Sequence, residues 1–139
     1  MIRVYVDMAA DMFHIGHLNL IKRSKELGDY LVVGVHSDKE IAFYKRKPII
    51  EETQRYEIVR SCKYVDEVIE AAPLVITEEF LNKHSLDIVV HGDDISEEVV
   101  RQHVVPVAKG IVKYLPRTEG TSTTNIIERI KERIKDENN

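Results

Sequence analysis

The chain has 139 residues, 43% of them hydrophobic, which suits one domain with a buried core and leaves little room for a second. A formal net charge of -4 does not supply the basic face that displaces counterions from a nucleic-acid backbone, so no nucleic-acid partner is expected, although a local basic pocket for a small anion is compatible with it. The single Cys62 excludes an intrachain disulfide, no apolar run approaches the roughly 20 residues of a membrane span, and the start lacks an apolar signal segment; the expectation is a cytoplasmic protein.

The first predicted strand covers residues 2–6 and leads through Met8-Ala9-Ala10-Asp11 into the tetrad His14-Ile15-Gly16-His17. Leu18, Ile21 and Leu27 recur near helical spacing before Gly28, which predicts a helix over 18–27 that opens at the tetrad. A strand at 30–35, a helix at 54–62, a strand at 67–69 and a helix at 78–84 follow. Next come a strand at 87–90, a helix at 97–109, a strand at 111–115 and a helix at 125–135. Strand and helix in alternation predict an α/β, single-domain, Rossmann-like doubly wound fold with a five-stranded parallel sheet. It occupies residues 1–135, with 136–139 read as a disordered tail.

In an open parallel sheet, ligands lie beyond the carboxyl ends of the strands, where strand-to-helix turns present backbone N–H groups and the positive end of a helix dipole. Two segments occupy that position. After the first strand, His14 and His17 stand three apart, with Gly16 between them permitting close backbone approach and Asp11 near enough to orient an imidazole. Alone, the pair is equally compatible with a surface turn that binds nothing. Zinc ligation lacks support, because His36, His84, His91, His103 and Cys62 show no further ligand spacing. After the fifth strand, the run 117–124 combines the guanidinium fork of Arg117, the tight turn of Gly120 and the hydroxyls of Ser122, Thr123 and Thr124 at a helix start. An ordinary N-cap explains one Ser-Thr pair, but three hydroxyls behind Arg and Gly point to an anion. Two other candidates carry simpler readings too: Lys45-Arg46-Lys47 reads as a solvated basic loop, and His91-Gly92-Asp93-Asp94, after the fourth strand, as a polar turn.

The H-I-G-H and R-T-E-G-T-S-T-T segments together resemble the cytidylyltransferase family, whose signatures are H-x-G-H and R-T-x-G-x-S-T-T and whose members join CTP to a small phosphorylated alcohol. The likeness extends through residues 28–35, Gln54-Arg55-Tyr56, Tyr64-Val65-Asp66-Glu67-Val68 and Val90-His91-Gly92-Asp93-Asp94. H-x-G-H alone marks a larger superfamily, including other nucleotidyltransferases and class I aminoacyl-tRNA synthetases, so the second segment discriminates. The resemblance implies attack by a phosphomonoester oxygen on the α-phosphate of CTP, with positioning and charge stabilisation carrying catalysis. It implies catalytic roles for His14 and His17 as donors to the phosphates. Arg117, Ser122 and Thr123 would hold the β- and γ-phosphates, and Lys45 would bridge CTP and the acceptor. Ala9, Ala10, Asp11, Gly16, His91, Gly92, Asp93, Asp94, Thr118, Gly120, Thr121 and Thr124 complete the implied CTP site, and Arg55 and Leu74 join Lys45 on the acceptor side. Mg2+ is expected on the CTP phosphates, with no metal held by the protein itself. Residues 60–68 resemble the interface of homodimers in that family.

The acceptor signals conflict. Ala71-Ala72-Pro73 and Thr77-Glu78-Glu79-Phe80-Leu81 resemble the phosphoethanolamine and phosphocholine branch, and Leu115-Pro116-Arg117 with the short length resembles the glycerol-3-phosphate branch. Choline-type members place an aromatic at the position of Leu74, so phosphoethanolamine is the expected acceptor, with glycerol 3-phosphate as the alternative. The family's glycine before the tetrad is Met8 here. If that glycine holds a positive φ, Met8 strains the turn, and a nucleotide-binding module with impaired catalysis is the reading of another class.

Overall fold

The computed structural model describes residues 1–138. Five parallel strands, β1 (Arg3–Met8), β2 (Tyr30–Val35), β3 (Glu67–Glu70), β4 (Ile88–Gly92) and β5 (Val112–Leu115), form one sheet in the order β3-β2-β1-β4-β5. The helices are α1 (Ile15–Lys25), α2 (Asp38–Tyr44), α3 (Glu52–Arg60), α4 (Glu78–Lys83), α5 (Glu97–Gln102), α6 (Val104–Ala108) and α7 (Thr123–Glu137). The expected Rossmann-like α/β sheet is therefore present. Strand order reverses between β1 and β4, so a crevice opens beyond their carboxyl ends.

Alternation along the strands divides the core into two layers. Val4, Val6, Leu31, Val33 and Val90 turn to one face and pack with Ile21 of α1 and Tyr56 and Val59 of α3. Tyr5, Val32 and Val89 turn to the other and pack with Phe80 and Leu81 of α4, Ile76 and Leu86. Full burial of each such valine or leucine contributes about 1.5–3 kcal/mol, so these two layers fix the strand register that aligns the crevice.

Three departures from the sequence reading have local causes. β1 runs two residues further than expected because Asp7 and Met8 pair with Gly34 and Val35 of β2. The helix expected at 97–109 is two helices, since Pro106 has no N–H and its ring crowds the carbonyl four residues back. That carbonyl, of Gln102, instead accepts from the N–H of Ile76. α2 was not anticipated; its start is fixed by a capping box in which Ser37 Oγ accepts from Glu40 N at 3.2 Å while Glu40 Oε1 accepts from Ser37. At the other end, α7 continues through Glu137 into the stretch read as a tail, whose last residue, 139, lies outside the described residues.

Candidate active site

The crevice is a cleft of about 1080 Å³ at the carboxyl ends of β1, β4 and β5. His14, Gly16 and His17 line it from α1; Thr118, Thr121, Ser122, Thr123 and Thr124 line it from the β5–α7 turn; Lys45, Arg117 and residues 91–94 complete the lining. Sequence segments separated by a hundred residues thus meet around one cavity.

The tetrad is both helix cap and ligand surface. His14 is the N-cap of α1, and its Nδ1 accepts from the N–H of Gly16 at 3.0 Å. His17 returns the bond, its Nδ1 accepting from the N–H of His14 at 3.1 Å. An Nδ1 that accepts carries no proton, so each neutral ring bears its proton on Nε2. The hydroxyl of Thr123 donates to the carbonyl of Asp11 at 3.1 Å and lies 3.4 Å from His14 Nε2, as an Nε2–H donor requires. The ring centroids stand 4.0 Å apart. Burial pushes both imidazoles down, His17 to about 4 with further help from its neighbour His14, so both are neutral at pH 7.

Gly16 serves this geometry in a different way from the expected close approach to a ligand. A Cβ there would stand 2.8 Å from His14 Cε1 and 3.0 Å from its Nδ1, so the missing side chain is what lets the His14 ring fold onto the helix start.

The second wall is the N-terminus of α7, where Ser122 caps the helix by accepting from Asn125 N at 3.0 Å. Asn19 Nδ2 donates to Thr118 Oγ1 at 2.9 Å and Arg23 donates to the Pro116 carbonyl at 2.9 Å, tying this turn to α1. Two histidine donors, a helix N-terminus and hydroxyls around one space make an anion cradle. Lys45 adds a cation at the end of α2; burial pushes its amine down and Asp94 partly offsets that.

Four expected residues lie elsewhere. Arg55 does not reach the cleft: it is fully buried, and its guanidinium donates to the carbonyls of Ile50, Ala9 and His36 and to Asp38 Oδ1, at 2.9, 2.5, 2.8 and 2.7 Å. It ties the loops after β1 and β2 to α3. Leu74 lies outside the cleft lining, as do Ala10 and Gly120, both of which take left-handed conformations at φ 57 and 76 in the turns leading to the walls. Asp11, a cleft-lining residue, does not orient an imidazole; its two oxygens accept from the N–H groups of Ile49 and Ile50, each at 2.9 Å, and anchor the loop that follows Lys45. Met8 does not strain the turn: it ends β1 in the strand ladder with its side chain in the core, and the positive φ values fall on Ala10 and Met12.

The sequence reading passed over the cleft's other end. Asp7, His36, Tyr44, Glu98 and Gln102 line it, alongside the expected His91. The available signal was positional, since Asp7 and His36 lie at the carboxyl ends of two neighbouring strands.

A cytidylyltransferase-like family model matches residues 9–129. The chain is 47% identical over 131 residues to an ethanolamine-phosphate cytidylyltransferase of Dictyostelium discoideum, covering 93% of this chain and 36% of that protein. It is 41% identical over 150 residues to choline-phosphate cytidylyltransferase 2 of Arabidopsis thaliana, covering 99% of this chain and 46% of that protein. The chain therefore spans between about a third and a half of the length of these relatives. Among solved structures, the lipopolysaccharide core biosynthesis protein from Thermoplasma volcanium superposes with a TM-score of 0.69 at 29% identity, over 87% of this chain and 99% of that one.

Proposed function

Because this chain belongs to the cytidylyltransferase-like family, we propose that it transfers CMP from CTP to ethanolamine phosphate, releasing pyrophosphate. The observation that carries the reading is the convergence of the two Nε2–H donors of His14 and His17 with the α7 N-terminus on one space. In this reaction an acceptor phosphate oxygen forms the new bond to the α-phosphorus as the bond to the β-phosphate's bridging oxygen breaks. No protein nucleophile is needed, because the acceptor phosphate is already anionic. His14 and His17 donate to the charge that builds on the phosphates, Ser122, Thr123 and the α7 N-terminus hold the departing pyrophosphate with Arg117, and Lys45 draws donor and acceptor phosphates together.

Among the described residues, no three His, Cys, Asp or Glu side chains gather to ligate a metal. A Mg2+ ion would enter on the triphosphate and neutralise part of its charge. The reading includes a cytoplasmic setting, where CTP is made, and association of two copies through residues 60–68, beside which Ile58 is exposed. No helix among the described residues is long and apolar enough to cross a membrane.

The test is pyrophosphate release with CTP or ATP as donor and ethanolamine phosphate, choline phosphate or glycerol 3-phosphate as acceptor. The proposal expects CTP-dependent turnover, fastest with ethanolamine phosphate. Turnover only with glycerol 3-phosphate, or CTP binding without pyrophosphate release, would overturn it.

A further inference from the structure

The turn between β1 and α1 is bent twice. Ala10 and Met12 both take left-handed conformations, at φ 57 and 49, which a residue with a Cβ adopts only where its surroundings compel it. Between them stands Asp11, 6% exposed, three residues ahead of His14. It lines a cleft suited to phosphates, where a carboxylate open to the ligand would repel it, yet both of its oxygens are engaged. Oδ2 accepts from the N–H of Ile49 and Oδ1 from that of Ile50, each at 2.9 Å, and these are the side chain's hydrogen-bond partners among the described residues. A carboxylate spent on two backbone donors is a tie, and what it ties is the segment that carries Lys45.

That segment leaves α2 at Lys45, whose N–H caps the helix by donating to the carbonyl of Ile41 at 2.8 Å, and it returns to the fold at Ile49 and Ile50. Ile49 is 60% exposed, so packing does little to fix the return. Hydrogen bonds fix it instead: the two N–H groups go to Asp11, and the carbonyl of Ile50 accepts from Arg55 Nε at 2.9 Å. On the other side of the turn, the Asp11 carbonyl accepts from the hydroxyl of Thr123, the first residue of α7, at 3.1 Å. One residue therefore ties together the histidine turn, the lysine loop and the start of α7, the three segments that bring groups to the phosphates. The two ties are separable, because a change of side chain removes the carboxylate's bonds and leaves the carbonyl's in place.

We propose that Asp11 is a positioning residue for cytidylyl transfer: through the loop that its carboxylate anchors, it sets where the Lys45 amine stands relative to the His14 and His17 donors, and it does not itself bind CTP. This deepens the proposed function and rests on it, since the place of Lys45 matters where donor and acceptor phosphates must be drawn together. With the return at Ile49 and Ile50 released, Arg46, Lys47 and Pro48 no longer span two fixed points, and the amine samples a range of positions over the cleft. Rates fall steeply with misplacement of that kind, while the cradle for the triphosphate stays assembled.

A double-mutant cycle tests the inference. Asp11→Ala is expected to lower kcat about a hundredfold and to raise the KM for ethanolamine phosphate, while calorimetric affinity for CTP changes no more than about threefold. In a Lys45→Ala background the same substitution is expected to cost less than about threefold, since the group it positions is gone. Asp11→Asn keeps the shape and one acceptor oxygen; it is expected to cost about tenfold, and it carries the cycle if Asp11→Ala does not fold. Amide hydrogen exchange reads the tie without turnover, and at Ile49 and Ile50 it is expected to quicken about tenfold or more in Asp11→Asn. Equal losses of kcat with and without Lys45, a CTP affinity that falls as far as kcat, or unchanged exchange at both amides overturns the inference while leaving transfer to ethanolamine phosphate intact. No CTP-dependent pyrophosphate from the unaltered protein overturns the transfer reading, and the inference with it.

Discussion

At the start of α1, His14 and His17 accept backbone N–H groups through Nδ1 and present Nε2–H to the cleft; towards the cleft's other end, His91 and His103 spend Nδ1–H on carbonyls, which leaves Nε2 of the neutral ring as a lone pair. The side chain is the same and the polarity is opposite. What selects the tautomer is the backbone group within reach: the unpaired N–H groups of a helix start in the first case, the carbonyls of Gly92 at the end of β4 and of Val99 within α5 in the second. Proton position, set by secondary structure, therefore gives one end of the cleft imidazole donors and the other imidazole acceptors.

Arg55 is where the two ends are joined, since its guanidinium holds the carbonyl of Ala9 on the cradle side and that of His36 on the other. Arg55→Ala removes four hydrogen bonds and leaves Asp38 and three carbonyls without their donor, so urea unfolding is expected to show a loss of about 3–5 kcal/mol. Arg55→Lys, lacking the planar fork, recovers only part of it. A loss below about 1 kcal/mol would mean that other contacts hold the ends in register.

Next in size is the cradle itself. His14→Ala or His17→Ala is expected to lower kcat for cytidylyl transfer about a hundredfold or more by removing a donor to the transition state. A kcat that stayed within a few-fold of the unaltered protein's in both variants would mean that the imidazoles do not donate to the transition state.

The smallest effect is a pH dependence. His17 is held near 4 in the folded chain and its ordinary value is 6.5, so the unfolded chain takes up the proton first as pH falls. Stability gains nothing from this group above about 6.5 and declines between about 6.5 and 4; unfolding midpoints at pH 7.5 and pH 5 should differ in that direction, and less so in His17→Gln. Because burial holds both imidazoles below their ordinary value, kcat is expected to show no inflection from His14 or His17 between pH 7 and pH 8.

The cradle was legible in the sequence and the other end largely was not, for a physical reason. His14-Ile15-Gly16-His17 and the run 117–124 each place their groups by local rules of helix capping and turn formation, so contiguous residues announce the site. Asp7, His36 and His91 become neighbours only through the β2-β1-β4 order of the sheet, which no single segment encodes. Arg55 reads as a polar position on an amphipathic helix, and its burial follows from two loops crossing over α3. The break at Pro106 and the Ser37–Glu40 capping box were present as local signals; the first was absorbed into one long helix and the second opens a helix of only seven residues.

Nitrogen-15 NMR of the histidine rings at pH 7.5 tests the central contrast most directly, because it reports which ring nitrogen carries the proton. The structure predicts Nε2–H for His14 and His17 and Nδ1–H for His91 and His103. Finding all four in one tautomer, or the two pairs reversed, would contradict it.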